Sequence, residues 1–323
     1  MSPGSRFRSV RANVAEKLVL QRGSMPCIFL LFVATVVIGF LFVISSSGPI
    51  GNRNKFARLM RPCFLSNYQC KMDNIRAEML DLPDIVQYVE WANRSSCALV
   101  QDFGGKMMSV GDKAGLDGQK AVCLDPPQLA PPVNRCVVYS FGINDEWSFD
   151  EAMASYGCRV FSFDPKGQQQ HNRTDKIHFF RWALGSESIL ASNDTDVPTK
   201  TLDEIYRDLS GWHGQNVVID YLKMDIEWAE WRVLPQIIQS GMLDKVRQLA
   251  VEIHLPFTAP YFNAGQGLDQ FRRLFSIIRS VETYGMVRFD SKRNIFFQNG
   301  IPSLNYTGPM AYELAWYNAR FLY

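Results

Sequence analysis

The sequence predicts an α/β fold, a doubly wound and mostly parallel sheet, preceded by one N-terminal transmembrane helix. Three observations lead there. From about residue 135 onward, short runs rich in Val, Ile, Phe and Tyr alternate with longer segments of helical spacing, the pattern of successive βαβ units. A charge-free apolar run, Cys27–Ile44, follows a basic terminus and as a helix nearly covers the hydrocarbon thickness of a bilayer. Glycine and acidic residues stand just after the predicted strands, where an open parallel sheet offers its ligand crevice. A chain of 323 residues, 47% hydrophobic and 20% charged, is long enough to bury a substantial core.

In chain order, residues 1–25 form a basic tail: Arg6, Arg8, Arg11, Lys17 and Arg22 against Glu16 give +4, so the rest of a chain of net charge +2 carries −2. Such a main domain has no basic footprint to exchange for phosphate counterions, which excludes nucleic acid as partner. Residues 26–44 are the predicted anchor. The basic flank stays cytosolic, which predicts a single-pass type II topology with the remainder facing the lumen of the endoplasmic reticulum or Golgi, or the cell surface. A cleaved signal peptide is the competing reading, since small residues follow at Ser45–Gly48, but the apolar run exceeds the usual signal core. Residues 45–62 lack apolar periodicity and read as a luminal stem.

Six cysteines lie beyond the span, Cys63, Cys70, Cys97, Cys123, Cys136 and Cys158, with no CxxC spacing. An even number without metal-type spacing predicts disulfides rather than a metal site, in keeping with a secreted environment, and ties the N-terminal luminal segment to the early part of the fold. Four N-x-S/T sequons, at Asn93, Asn172, Asn193 and Asn305, predict a glycoprotein.

Residues 63–130 form a cysteine-containing segment that starts with helical spacing, in which Pro83 breaks the run, and ends in a Gly-rich stretch and the Pro cluster after Asp125. In residues 131–323 the predicted strands are Arg135–Phe141, Arg159–Phe163, Lys176–Trp182, Val217–Met224 and Val246–Glu252. Helices are predicted at Phe149–Tyr156, Leu202–Leu209, Trp228–Ser240 and Leu268–Tyr284. Met286–Phe289 and Ala311–Asn318 read as a closing antiparallel pair, with Tyr312, Leu314 and Trp316 on one face.

The turn after the first of these strands, Ser140-Phe141-Gly142-Ile143-Asn144, has a glycine where backbone can approach a ligand. It lacks further glycines and carries Asp145 and Glu146, so it suits a cofactor without phosphate. About twenty residues on, Asp164 ends the second strand, where a carboxylate accepts ribose hydroxyls in nucleotide folds. Lys223, Asp225, Glu227, Glu252 and His254 stand at the tips of two later strands. Charges at such positions cost desolvation and commonly mark sites that bind or react. His254, whose ordinary pKa lies near working pH, is the first candidate for a base, with Asp225 or Glu252 orienting it.

In order, Ser140-Phe-Gly-Ile-Asn144, Phe163-Asp164-Pro165, Trp182-Ala-Leu-Gly185, Thr201-Leu-Asp203, Leu222-Lys-Met-Asp225-Ile-Glu227 and Glu252-Ile-His254 resemble the FkbM-like group of class I methyltransferases, and within it the membrane-anchored methyltransferase-like proteins of animals. The resemblance spans roughly residues 135–255 and implies a Rossmann-like methyltransferase sheet with S-adenosyl-L-methionine as cofactor. It places Ser140, Phe141, Gly142 and Asn144 beside the methionine end, Asp164 on the ribose, Ala183 and Leu184 near the adenine, and Asp225, Glu227, Glu252 and His254 around the transferring methyl group. The group commonly has an acidic residue at the position of Ser140 and glycines at those of Glu146 and Trp228. The function expected is O- or N-methyl transfer to an unassigned acceptor: glycan, lipid, small molecule or luminal protein. The alternatives are a catalytically silent binding module with the same fold and, from the Asp225-Ile226-Glu227 tripeptide, a type II Golgi glycosyltransferase.

Overall fold

The structure, a computed structural model, describes residues 76–166, 171–191, 197–255 and 267–323, all within one compact unit, Cys63–Tyr323. The predicted tail, anchor and stem, with Cys63, Cys70 and Asn193, lie outside the described residues. Among the described residues no helix is long and apolar enough to cross a membrane.

Helix α1 (Leu82–Glu90) opens the described part. Pro83 sits in its first turn, and Asp81 and Asp84 form a reciprocal capping box. Pro83 therefore starts a helix instead of breaking one, since a first-turn proline has no N–H that the helix would use. Two hairpin-like pairs follow that the Gly-rich composition had hidden: β1 (Leu99–Phe103) with β4 (Lys120–Asp125), and between them β2 (Lys106–Val110) with β3 (Lys113–Asp117), both antiparallel.

The units that follow are β5 (Val137–Phe141), α2 (Ser148–Tyr156), β6 (Arg159–Phe163), the short β7 (His171–Asn172), β8 (Ile177–Phe180), β9 (Ala183–Leu184), β10 (Thr199–Lys200), α3 (Leu202–Asp208), α4 (Ser210–His213), β11 (Ile219–Met224), α5 (Glu230–Gln239), β12 (Val246–His254), α6 (Gly267–Tyr284), β13 (Met286–Arg293), β14 (Gln298–Ile301), β15 (Tyr306–Pro309) and β16 (Ala311–Asn318). The eight-stranded sheet runs β13-β16-β12-β11-β5-β6-β8-β7. The five strands from β12 to β8 are parallel. β16 inserts antiparallel between β12 and β13, so the closing pair predicted from alternation is present. The helix predicted from Trp228 begins instead at Glu230, because Glu227 and Trp228 take positive φ.

Successive strand residues point to opposite faces, and each face has its own core. Val137, Tyr139, Phe141, Phe161 and Phe163 face α1, α3, α5 and α6. Val138, Val160, Tyr221, Ala250 and Ala315 face α2 and β4. Two disulfides, Cys97–Cys123 and Cys136–Cys158, bring β4 to the end of the α1 region and join the starts of β5 and β6. Neither links the segment before residue 130 to the strands after it. That join combines this apolar face with buried polar bonds: the fully buried Gln248 amide accepts from Cys123 N–H at 2.8 Å and donates to the Cys123 and Leu129 carbonyls at 2.7 Å each, and Tyr221 Oη donates to Ala121 O at 2.7 Å.

Gln248→Ala strands one backbone N–H and leaves two carbonyls without this donor, and buried unsatisfied groups cost about 1–3 kcal/mol each. The variant is expected to lose about 3 kcal/mol by denaturant titration, with β4 the first segment to gain amide exchange. An unchanged midpoint would mean that β4 is held by apolar contact alone.

Candidate active site

Every site residue nominated from the sequence lies at or next to the C-terminal tips of the parallel strands. Gly142 follows β5 at φ +77, and a Cβ there would stand 1.6 Å from the Asp225 carbonyl oxygen, so only glycine lets this turn press against the end of β11. Lys223 Nζ donates to Gly142 O at 2.6 Å and fixes the same contact. Asp164, after β6, reaches across the crevice: Oδ2 accepts from the Ile143 and Asn144 N–H groups at 2.8 Å each, and Oδ1 from Lys166 N–H at 2.7 Å. A carboxylate has about four acceptor positions, so capacity remains for a ligand's hydroxyl groups. Asn144 is exposed at the lip, Ala183 is half-buried and Leu184 buried in β9.

Ser140 and Phe141 instead turn inward. Phe141 stacks on Phe163 at 4.4 Å between ring centres. The Ser140 hydroxyl donates to Asp150 Oδ2 at 3.1 Å, and the Ser162 hydroxyl donates to Asp150 Oδ1. Burial pushes the Asp150 carboxyl up to about 6, against the opposing pull of Lys223 and the two hydroxyls. Glu146 is engaged as well: its carboxylate accepts from the Ser148 N–H at 3.0 Å and hydroxyl at 3.1 Å at the start of α2.

Asp225, Glu252 and His254 converge, with one ligand-capable atom from each lying within 4.8 Å of the others. The sequence did not single out the groups around them. Lys120, on β4 and almost wholly buried, pairs with Glu313 and stands 3.9 Å from Asp225. Glu313, on β16, is directly opposite Glu252 in register. Asn294 donates to Glu252 Oε1 at 2.7 Å. Glu230 Oε1 accepts from the His254 backbone N–H at 2.7 Å and lies 3.2 Å from His254 Nδ1; Glu230, not Asp225 or Glu252, orients the imidazole. The alternation of Tyr312, Leu314 and Trp316 implies an inward Glu313 on the opposite face, the one signal that would have found it.

Burial opposes the Asp225 charge, but Lys120 and Lys223 hold its carboxyl below the ordinary value. Burial, then Asp225 and Glu313, pushes Glu252 well up. Burial alone would lower His254, but Glu230, with Glu252 and Asp225, pushes it up to about 9. At neutral pH the imidazole therefore carries a proton, and service as a base requires that proton to be displaced first. Glu227 is mostly exposed, 3.9 Å from His254 Nε2. Trp228 and Phe297 roof the imidazole, with ring centres 5.1 and 6.0 Å away.

A glycine-tight turn, an acid after the second strand and an acid-base group at the fourth and fifth strand tips share one crevice. The profile of the Methyltransferase domain family matches residues 88–306. The chain belongs to this family. It is 29% identical over 215 residues to the human protein named probable methyltransferase-like protein 24, covering 62% of this chain and 56% of that one, and 29% identical over 214 residues to the rat protein of the same name, with the same coverage. The chain thus spans little more than half the length of the curated relatives it matches. Two solved structures are also similar: a fibrillarin pre-rRNA processing protein from Methanococcus jannaschii (9% identity, 66% of this chain and 82% of that one) and a putative S-adenosylmethionine dependent methyltransferase from Listeria monocytogenes (12%, 59% and 95%). At a TM-score of 0.32 for each, neither carries an argument.

In this methyltransferase domain, Asp150 ties its titration to stability. Its folded pKa is raised above the ordinary 3.8 to about 6, so its contribution is fully present below about pH 3.8 and is lost as pH rises through about 6. Asp150→Asn cannot ionise. Between pH 4 and 7 the wild type is expected to lose stability relative to Asp150→Asn, read by denaturation at each pH; parallel curves would contradict the assignment.

Proposed function

We propose that the chain is an S-adenosyl-L-methionine-dependent methyltransferase acting on an oxygen or nitrogen acceptor, held as a type II membrane protein with its catalytic domain in the lumen of the secretory pathway or at the cell surface. The observation that carries the reading is the meeting, in one crevice of a methyltransferase-family domain, of the Gly142 turn, Asp164 and the Asp225–Glu252–His254 group. The donor set suits this cofactor: Asp145, Glu227 and Asp225 favour a ligand bearing ammonium and sulfonium charges and repel a pyrophosphate, and Asp164 keeps acceptor capacity for ribose hydroxyls.

When bound, the cofactor's sulfonium supplies an electrophilic methyl group. The residues of the chain have the remaining tasks. Asp164 and the Asn144 lip orient the nucleoside, and β9 with Trp182 borders its base. Asp225, Glu252 and His254 hold the acceptor in line with the methyl group, and Asp225, the acid held ionised, takes up its proton, since alignment and proton removal are what the transfer demands of the protein. Trp228 and Phe297 close the acceptor side and exclude water. The bonds of Glu146 at the start of α2 and of Ser140 to Asp150 give two of the three departures from the family pattern a structural role, so neither of these favours a silent module.

The compartment reading rests on the apolar run, the basic flank, two disulfides of the kind that persist in oxidising environments and the sequons. Of these, Asn93 is buried, while Asn172 and Asn305 face solvent.

Calorimetric titration of S-adenosyl-L-methionine into the detergent-solubilised chain is expected to show micromolar binding that Asp164→Ala abolishes, whereas His254→Ala keeps the affinity and loses turnover on a competent acceptor at least about 100-fold. Absence of heat from a folded chain would refute the cofactor assignment. In cells, peptide N-glycosidase should sharpen the mobility of the wild type, and Asn172→Gln and Asn305→Gln should each remove one glycan while Asn93→Gln removes none. An unglycosylated chain would overturn the luminal placement.

A further inference from the structure

We propose that Asp225, Glu252 and His254 form a binding site for one hard divalent cation, of the magnesium or manganese class. The three ligand atoms lie within 4.8 Å of one another. Oxygen and nitrogen ligands at about 2.1 Å from a common ion are separated by at most about 4.2 Å, so a side-chain adjustment of well under an ångström closes the set.

Two further observations point to a ligand, independently of the two carboxylates. His254 is held as metal-bound histidines are held: Nδ1 is tied to the carboxylate of Glu230, a residue with no exposed surface, and that bond fixes the ring and leaves Nε2 for the ion. The imidazole is more than nine-tenths buried, and on its Nε2 side Glu227 stands at 3.9 Å, outside hydrogen-bond reach. Glu313, opposite Glu252 across the strand pair, has a buried Oε2 with no hydrogen-bond partner. The ammonium of Lys120 is committed to Glu313 Oε1 and stands 3.9 Å from Asp225, and Glu252 is held by the Asn294 amide and by a side-chain hydrogen bond with Asp225.

The ligand set is two carboxylates and one imidazole, which suits a hard or borderline divalent ion rather than a soft one. Three protein ligands leave coordination positions open toward the crevice, beside Glu227 and beneath Trp228. Those positions fit an acceptor that presents oxygen, a hydroxyl above all, because coordination lowers the pKa of a bound hydroxyl and fixes its direction. This choice of acceptor class rests on the methyl-transfer reading; the cation site itself does not.

The test titrates manganese into the metal-free, detergent-solubilised chain without cofactor, following the free-ion signal by electron paramagnetic resonance, with the melting temperature recorded in parallel. One manganese per chain and a raised melting temperature are expected. Glu252→Gln and His254→Ala should each weaken binding at least about 10-fold, and Glu230→Gln, which touches no ion, about 10-fold through the imidazole. Circular dichroism confirms that each variant is folded, and the thermal shift of the unmodified chain stands independently of any variant. No manganese binding, or binding that survives both ligand substitutions, overturns the proposal. Cofactor affinity measured on the same samples separates the two readings: cofactor binding without manganese refutes the cation site alone, and manganese binding without cofactor refutes the methyltransferase reading alone.

Discussion

The buried ammonium of Lys120 is the interaction on which the active-site end of this domain depends. Asp225, Glu252 and Glu313 come from three adjacent strands and are packed close enough to perturb one another. Such a group of acids is stable in a dry interior only with a counter-charge, because an unpaired buried ion costs several kcal/mol. Lys120 supplies that charge from outside the parallel sheet. Burial opposes its protonation, and Glu313, Asp225 and Glu252 together outweigh that opposition and hold its pKa above the ordinary value. The strand that delivers it, β4, is docked by Gln248 and Tyr221 from the face of the sheet. The segment before residue 130 is therefore part of the candidate site, not a preface to it.

Strand order does the rest. The antiparallel insertion of β16 between β12 and β13 brings Glu313 opposite Glu252, and the parallel pairing of β5 with β11 sets Gly142 against Asp225. The Gly142 turn thereby lies between Asp164 and the Asp225–Glu252–His254 group. A Cβ at Gly142 would stand 1.6 Å from the Asp225 carbonyl oxygen, so this contact between the ends of β5 and β11 admits only glycine.

The parallel strands, their helices and the closing pair were legible because their periodicity is strong: the bounds of Arg159–Phe163 and Ala311–Asn318 are those of β6 and β16. The hairpins at β1 to β4 were not, because Gly104, Gly105, Gly111 and Gly118, which make their turns at positive φ, also erase the alternation by which strands are recognised. At the site, residues adjacent in sequence to the strand tips were found, and those delivered across the fold were missed. Lys120, Glu230 and Glu313 are single charges in apolar surroundings, and nothing local in the sequence distinguishes them from solvent-facing residues. The placement of Asp150 against Ser140 and Ser162 likewise depends on how α2 lies on the sheet.

Glu227 and Trp228 shape the turn between β11 and α5. Both hold positive φ, +51 and +67, and a bulky residue in that region costs on the order of 1–3 kcal/mol. A glycine at 228 would avoid the cost. What the tryptophan provides is placement: the turn aims the indole over His254, Nε1 donates to Leu255 O at 3.4 Å, and Phe297 completes the cover from the β14 side. Strain of this kind persists where the surrounding structure overrides local preference, and here β11 and the first turn of α5 fix both ends of the strained pair. The same bend turns Glu227 outward to the lip while Glu230 turns inward to the imidazole, so one short turn sets the roof, the rim and the support of His254.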